Sequence, residues 1–187
     1  SLVKYEYFED IEKEAAQALV DNKVICWFQG KMESGQRALG NRSILGDPRD
    51  PEMKEKINKL VKHREWYRPF APSVLEESQS NFFENSLSSP FMQLVLPIRK
   101  DKQSVIPAVT HVDGTGRLQT VQKNVNPRYW KLIDEFRKLT GVGIVLNSSF
   151  NDNDEPIVCS PKDAIRTFFG TGLHELYIGN YRVRKHR

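Results

Sequence analysis

Two hydrophobic periods alternate along the 187-residue chain. In "EDIEKEAAQALVDNK", Ile11, Ala15, Ala18 and Leu19 recur at helical spacing with acids in the first turn, which predicts a helix. "KVICWFQG" follows as a buried strand closed by Gly30. In "DPEMKEKINKLVKHREW", Asp50 is placed as N-cap and Pro51 at the first helical position, with Met53, Ile57, Leu60 and Val61 facing inward. "YRPFAPSVL" is extended, because Pro69 and Pro72 push their predecessors out of the helical region.

Further along, "ESQSNFFEN" reads as a short helix or turn and "SPFMQLVLPI" as a strand. "VIPAVTHVDGTGRLQTV" predicts two β segments joined around Asp113-Gly114. "NPRYWKLIDEFRKLTGVGIVLNSSFN" predicts a helix with Trp130, Ile133 and Leu139 inward, closed by Gly141 and followed by a buried strand. In "CSPKDAIRTFFGTG" a second helix start combines Ser160 as N-cap, Pro161 and Asp163 at N3. "HELYIGNYRVRK" is strand material. No repeat or linker interrupts the series, so residues 1–187 are expected to form one layered α/β or α+β domain.

Composition narrows the class. The apolar and charged fractions, 39% and 28%, are those of a globular protein. "VICWF", "LVLPI" and "VGIVL" are strand-sized, so no membrane span is expected. The chain starts at Ser1 rather than at a methionine, and is read as a piece of a longer protein. Cys26 and Cys159 lack ligand spacing and are read as reduced, buried small hydrophobes, which points to the cytoplasm. The four histidines form no HxxxH or HxxH pair, so no metal cage is expected.

Charge changes the picture more. The net charge is +4, yet residues 1–30 hold three lysines and six acids, whereas residues 31–70 hold ten cations and six acids. An anionic small molecule or nucleic acid would be drawn to that second stretch, unless it is only solvated surface. It opens with "KMESGQRALGNRSILGDPR", where Arg37 and Arg42 lie among Gly30, Gly35 and Gly40. Glycines admit close backbone approach, and guanidinium groups grip phosphate with paired donors. Neither GxxxxGK[ST] nor GxGxxG is present, and a glycine-bearing surface turn would read the same way.

Lys62, Arg64 and Arg68 then crowd "KHREWYRPF". Lys62 could simply complement a helix C-terminus, but Arg68 lies beyond the helix. Trp66 and Tyr67 are read as core in preference to a stacking platform. In "THVDGTGRLQTV", His111 and Asp113 would share one strand face near Arg117. Asp113 caps a turn or, in the sharper reading, contacts a base or Mg²⁺. Asn147, Ser148, Ser149 and Asn151 end a buried strand, where small polar side chains either cap a turn or bind a ligand in a sheet crevice.

Taken together, "SGQRALGNRSILGDPR", "KHREWYRPFAPSVL", "PAVTHVDGTGRLQTV", "NPRYWKLIDEF", "GVGIVLNSSFNDNDEPIVCSPKDAIRTF" and "LYIGNY" resemble the C-terminal half of the NodU/CmcH-type O-carbamoyltransferases. The resemblance runs from about Val24 to Val183. It implies a YrdC-like fold, a twisted open sheet with flanking helices and a basic concave face. It also implies a separate N-terminal actin-like domain, whose metal-holding histidine motif is absent from this sequence. The implied chemistry joins carbamoyl phosphate and ATP into carbamoyl adenylate and pyrophosphate, and the N-terminal domain then passes the carbamoyl group to an acceptor hydroxyl.

The family's functional positions fall on Lys62 and Arg68, on Arg117, and on Asn147 and Ser149. A YrdC-like K-x-R and S-x-N pair falls on Lys62-His63-Arg64 and Ser149-Phe150-Asn151, and "RALGNRS" supplies Arg37 and Arg42. Gln36 replaces a usual proline, Ser148 a threonine, and "NDNDEP" adds acids where a glycine is common. Lys62, Arg68, Arg117 and Ser149 are therefore expected as catalytic residues. Arg37, Arg42, Arg64, His111, Asn147 and Asn151 are expected to bind substrate, with Mg²⁺ accompanying ATP. Cations that persist at neutral pH suit several phosphate charges gathered in one pocket. A rival from another class is an RNA-binding module with Trp66 and Tyr67 beside the cations. A nucleotide-binding scaffold without catalysis is a third.

Overall fold

The first predicted helix forms as α1 (Ile11–Val20), capped by the Asp10 carboxylate accepting from the Lys13 amide, in the computed structural model, which describes residues 3–65 and 67–185. Ile11, Ala15, Ala18 and Leu19 are all buried, as their spacing requires. The predicted strand is β2 (Ile25–Phe28). Two strands lie outside the expectations. β1 (Val3–Tyr7) precedes α1, and β3 (Arg42–Gly46) starts inside the stretch read as a glycine-bearing turn and runs past it.

The segment after Asp50 begins with a turn in which the Asp50 carboxylate accepts from the Glu52 amide. Helix α2 (Met53–Ile57) then widens into a π-helical turn, Asn58–Lys62, and stops at His63, which is left-handed with φ 48°. Next come β4 (Ala71–Leu75), a 3₁₀ segment Glu76–Asn81, β5 (Leu94–Pro97) and the short α3 (Lys100–Gln103). The expected hairpin around Asp113 is half wrong. Pro107–Val109 is a 3₁₀ turn, and only β6 (Thr115–Val121) is a strand. Pro107 cannot donate to a ladder, which disfavours a strand there.

Helix α4 (Pro127–Thr140) ends at Gly141 as expected, but its inner stripe is Tyr129, Leu132, Ile133 and Phe136. Leu139 is exposed, and Trp130 sits at the rim, where its indole N–H donates to Glu77. β7 (Ile144–Ser149) follows. α5 (Pro161–Gly170) opens with the full Ser160–Asp163 capping box. β8 (Glu175–Ile178) and β9 (Tyr181–Lys185) form the last hairpin. Cys26 is buried, but Cys159, expected inside, is exposed.

The nine strands form one mixed sheet in the order β1-β9-β8-β2-β3-β7-β4-β6-β5. β7 lies between β3 and β4 and runs antiparallel to both. Its carboxyl end therefore meets the starts of β3 and β4, with Ser43 opposite Ser149 and Ala71 opposite Asn147. β6 runs parallel to β4, bringing Arg117 to that same end. α1 and α4 pack together on one face, and α5 packs on β2 and β8. Among the described residues no helix is long and apolar enough to cross a membrane.

Candidate anion-binding cleft

Gly40 sets the position of the loop that roofs the site. Its φ is +113°, and a Cβ there would lie 2.1 Å from the buried Tyr129 ring, so only glycine fits. The Glu33 carboxylate accepts from the Leu39 and Asn41 amides at 3.0 and 2.6 Å. From below, the Asn147 side-chain amide donates to the Ala38 carbonyl at 3.0 Å, and Gln119 donates to the Leu39 carbonyl at 2.8 Å. The loop is thereby stitched to β6 and β7, with Gln36 and Arg37 over the strand ends.

A narrow cleft of about 60 Å³ lies beneath, a volume on the scale of a phosphate group, lined by Arg37, Arg64, Phe70, Arg117, Asn147 and Ser149 among others. None of the three arginines pairs with a carboxylate among the described residues. Burial, then the field of Arg37 and Arg64, lowers the Arg117 pKa; burial, then Arg68, lowers that of Arg64. Both keep an Nε that is buried without a hydrogen-bond partner. Arg64 also lies over the Phe70 ring, 4.8 Å from its centroid. Like charges gathered without counter-charge are unfavourable alone and are relieved by an anion.

A larger cavity of about 530 Å³ is lined by Arg99, Lys102 and Arg137. Its cations each have a carboxylate partner, Arg99 and Lys102 sharing Asp101 and Arg137 bonded to Asp134. Volume favours that cavity. Unbalanced charge favours the cleft, and charge decides for an anion.

Lys62 lies behind the cleft rather than in it. Its ammonium donates to the Ser149 carbonyl at 2.7 Å, to Ser149 Oγ at 3.3 Å, and to Asn151 O and Oδ1 at 3.0 and 2.5 Å. Burial, with Arg64 adding to it, pushes the Lys62 pKa down from 10.5 to about 7, against the pull of Asp152. The Ser149 hydroxyl also bonds Asn151 Oδ1 at 2.7 Å, so the lysine holds the whole strand-end corner.

Arg42, expected to bind substrate, lies apart from the cleft. It is buried under the first strands, and its guanidinium donates to the carbonyls of Gln29 (2.7 Å), Asn41 (2.9 Å), Gly30 (3.2 Å) and Cys159 (3.3 Å), above the Phe28 ring. Its two terminal nitrogens hold the base of the loop, its buried Nε keeps no partner, and it does not line the cleft.

His111 and Asp113 do not share a strand face, because residues 111–114 are a turn closed by the Gly114 amide on the His111 carbonyl. Asp113 caps it by accepting from the Thr115 amide and hydroxyl. His111 is half-buried with an unpartnered Nε2, and burial lowers its pKa, with Arg117 and Lys54 acting in the same direction. Arg68 stands at the rim, 55% exposed and 3.5 Å from Glu65. Tyr67, read as core, is 64% exposed; Trp66 lies outside the described residues. Sequence reasoning missed Glu33 and Gln119. Gln119 alone had a signal, as a polar residue within an otherwise apolar strand end.

The family described as "Carbamoyltransferase C-terminus" matches residues 16–185. The chain belongs to that family. It is similar to nodulation protein NolNO of Sinorhizobium fredii, at 53% identity over 98% of this chain and 27% of the relative. It is also similar to 3'-hydroxymethylcephem-O-carbamoyltransferase of Amycolatopsis lactamdurans, at 35% identity over 89% of the chain and 32% of that enzyme. The chain thus spans about a quarter to a third of the length of these relatives.

Among solved structures it is similar to Sua5 of P. abyssi complexed with L-threonine, with a TM-score of 0.67 and 16% identity over 94% of this chain and 48% of that one. Full-length HypF in its phosphate- and nucleotide-bound form gives 0.59 and 17%, over 94% of this chain and 22% of HypF. These likenesses establish a shared fold, the YrdC-like open sheet that the carbamoyltransferase resemblance implied.

Proposed function

We propose that this carbamoyltransferase C-terminal chain binds ATP and carbamoyl phosphate around the cleft, which holds a phosphoryl group, and forms carbamoyl adenylate. An upstream domain of a longer protein would then use that product to carbamoylate a hydroxyl group. The observation that carries the reading is the convergence of Arg37, Arg64 and Arg117 on one cleft without a carboxylate partner. The family description, the cephem O-carbamoyltransferase and the nucleotide-bound HypF relative support it.

Water cleaves the acyl–oxygen bond of carbamoyl phosphate, giving carbamate and phosphate. A carbamate oxygen then attacks the α-phosphorus of ATP, and the bond to pyrophosphate breaks. Charge builds on the equatorial and leaving oxygens, where fixed guanidinium groups stabilise it without a protein nucleophile. Asn147, whose amide nitrogen holds the loop, keeps Oδ1 buried and without a partner, suited to accept from the carbamoyl NH₂. Lys62, Ser149 and Asn151 shape the corner under the substrate, and His111, half-buried in the turn before β6, is kept as a binding residue. Arg68 serves at the rim. Mg²⁺ would accompany the nucleotide as the counter-ion of its phosphates.

The test is ATP–pyrophosphate exchange. Exchange should require carbamoyl phosphate, and Arg117→Ala should lower it by about a hundredfold, the usual cost of one such contact. Exchange indifferent to carbamoyl phosphate, or to this substitution, would overturn the reading.

A further inference from the structure

The far edge of the sheet carries an apolar face that the cleft chemistry does not use. Alternation along β1 sends Val3, Tyr5 and Tyr7 to one side and Lys4 and Glu6 to the other. Across the ladder, Tyr5 pairs with Val183 and Tyr7 with Tyr181, while Glu6 pairs with Arg182. On the charged side Glu6 is paired. Glu6 bonds Arg182 and Arg184, and Arg182 reaches Glu14 of α1 and lies over Phe8.

Among the described residues nothing covers the apolar side. Tyr5, Ile165, Phe169, Ile178, Tyr181 and Val183 line a cavity of about 390 Å³ whose walls are almost wholly apolar. Tyr5 is 69% exposed and Tyr181 46%, with their rings edge to face at 6.3 Å. Contiguous exposed aromatic surface of this kind marks an interaction site. Among the described residues β1 is also the outermost strand of the sheet.

We propose that this face, built by β1, β9 and α5, is where the upstream part of a longer carbamoyltransferase chain packs. The proposal rests on the reading that such a domain accompanies this fold, but not on the cleft's substrates. Two observations choose that occupant. The family is described as a carbamoyltransferase C-terminus, and the relatives are three to four times as long as the matched stretch, which leaves their remaining length mainly upstream. An upstream segment joins this fold at β1, the strand that supplies Val3 and Tyr5 to the face. Tethered there, a domain meets the patch at high effective concentration, so a modest apolar contact suffices.

The experiment uses NolNO with its matching stretch replaced by this chain. Hydroxyl-radical labelling of Tyr5, Phe169 and Tyr181 is read in the native chimera against the same chimera unfolded in denaturant. The expected result is labelling several-fold slower in the native protein at Tyr5, which the fold alone leaves 69% exposed, and restored at Tyr5 by paired Phe169→Asp and Tyr181→Asp substitutions that preserve the melting transition. Native labelling close to the unfolded rate would overturn the proposal. So would protection in the isolated 187-residue chain that rises with its concentration, since a second copy would then be the occupant. Carbamoyl-phosphate-dependent exchange is scored on the same chimera. Its absence with protection intact removes the cleft reading and leaves this one standing.

Discussion

Lys62 is a charge held against its environment. Four oxygen contacts from Ser149 and Asn151 favour the ammonium, while burial and Arg64 drive its pKa to about 7. Between that value and 10.5 the unfolded chain carries a proton that the folded one has released. Stability therefore rises with pH across this window, and the cost of the buried charge is fully present below it. Relative to Lys62→Met, the wild type should gain stability from pH 7 toward pH 10, by up to about 1.4 kcal/mol per pH unit in denaturant titrations. A difference that stays constant with pH would mean that Lys62 titrates as an ordinary lysine. Arg42 shows why single residues were hard to read. A guanidinium donates equally well to phosphate or to carbonyl oxygen, so Arg37 and Arg42, five apart, looked alike in sequence. Only the placement of Arg42 at the start of a buried strand separates them.

Gly40 belongs to the scale of elements, because it lets the loop pass over α4. Gly40→Ala would drive a methyl into Tyr129 at a φ of +113°, and should cost about 3 kcal/mol from overpacking and backbone strain together. Urea unfolding measures it; a loss under about 0.5 kcal/mol, the range of ordinary surface changes, would show that the loop does not need this close approach. Elements with strong punctuation were legible: the Ser160–Pro161–Asp163 start, the Gly141 stop and the apolar run of β2. β3 was not, since "RSILG" is short, mixes polar with apolar residues and lies between glycines. Its burial comes from both sheet neighbours, which no local pattern reports. α4 was read one residue out of phase. Trp130 drew the inner face toward itself, but Tyr129, Leu132, Ile133 and Phe136 follow the 3.6 period better.

For the whole molecule, the order β3-β7-β4-β6 is what gathers the cleft, and no spacing along the chain discloses it. The antiparallel start of β4 and the parallel start of β6 deliver Phe70 and Arg117 to the carboxyl end of β7. The loop before β3 brings Arg37, and the turn after the π-helical segment brings Arg64. The cations were visible in sequence, but their convergence, and the diversion of Arg42 and Lys62 to structural oxygens, came only with the fold.

One anion shared by separate guanidinium groups makes their contributions interdependent. Calorimetric titration of inorganic pyrophosphate into the wild type, Arg37→Ala, Arg117→Ala and the double variant measures this directly. A shared site predicts weaker binding in each single variant and a coupling of about 0.5–3 kcal/mol in the cycle. Losses that add to within about 0.5 kcal/mol, or binding that neither substitution weakens, would contradict it.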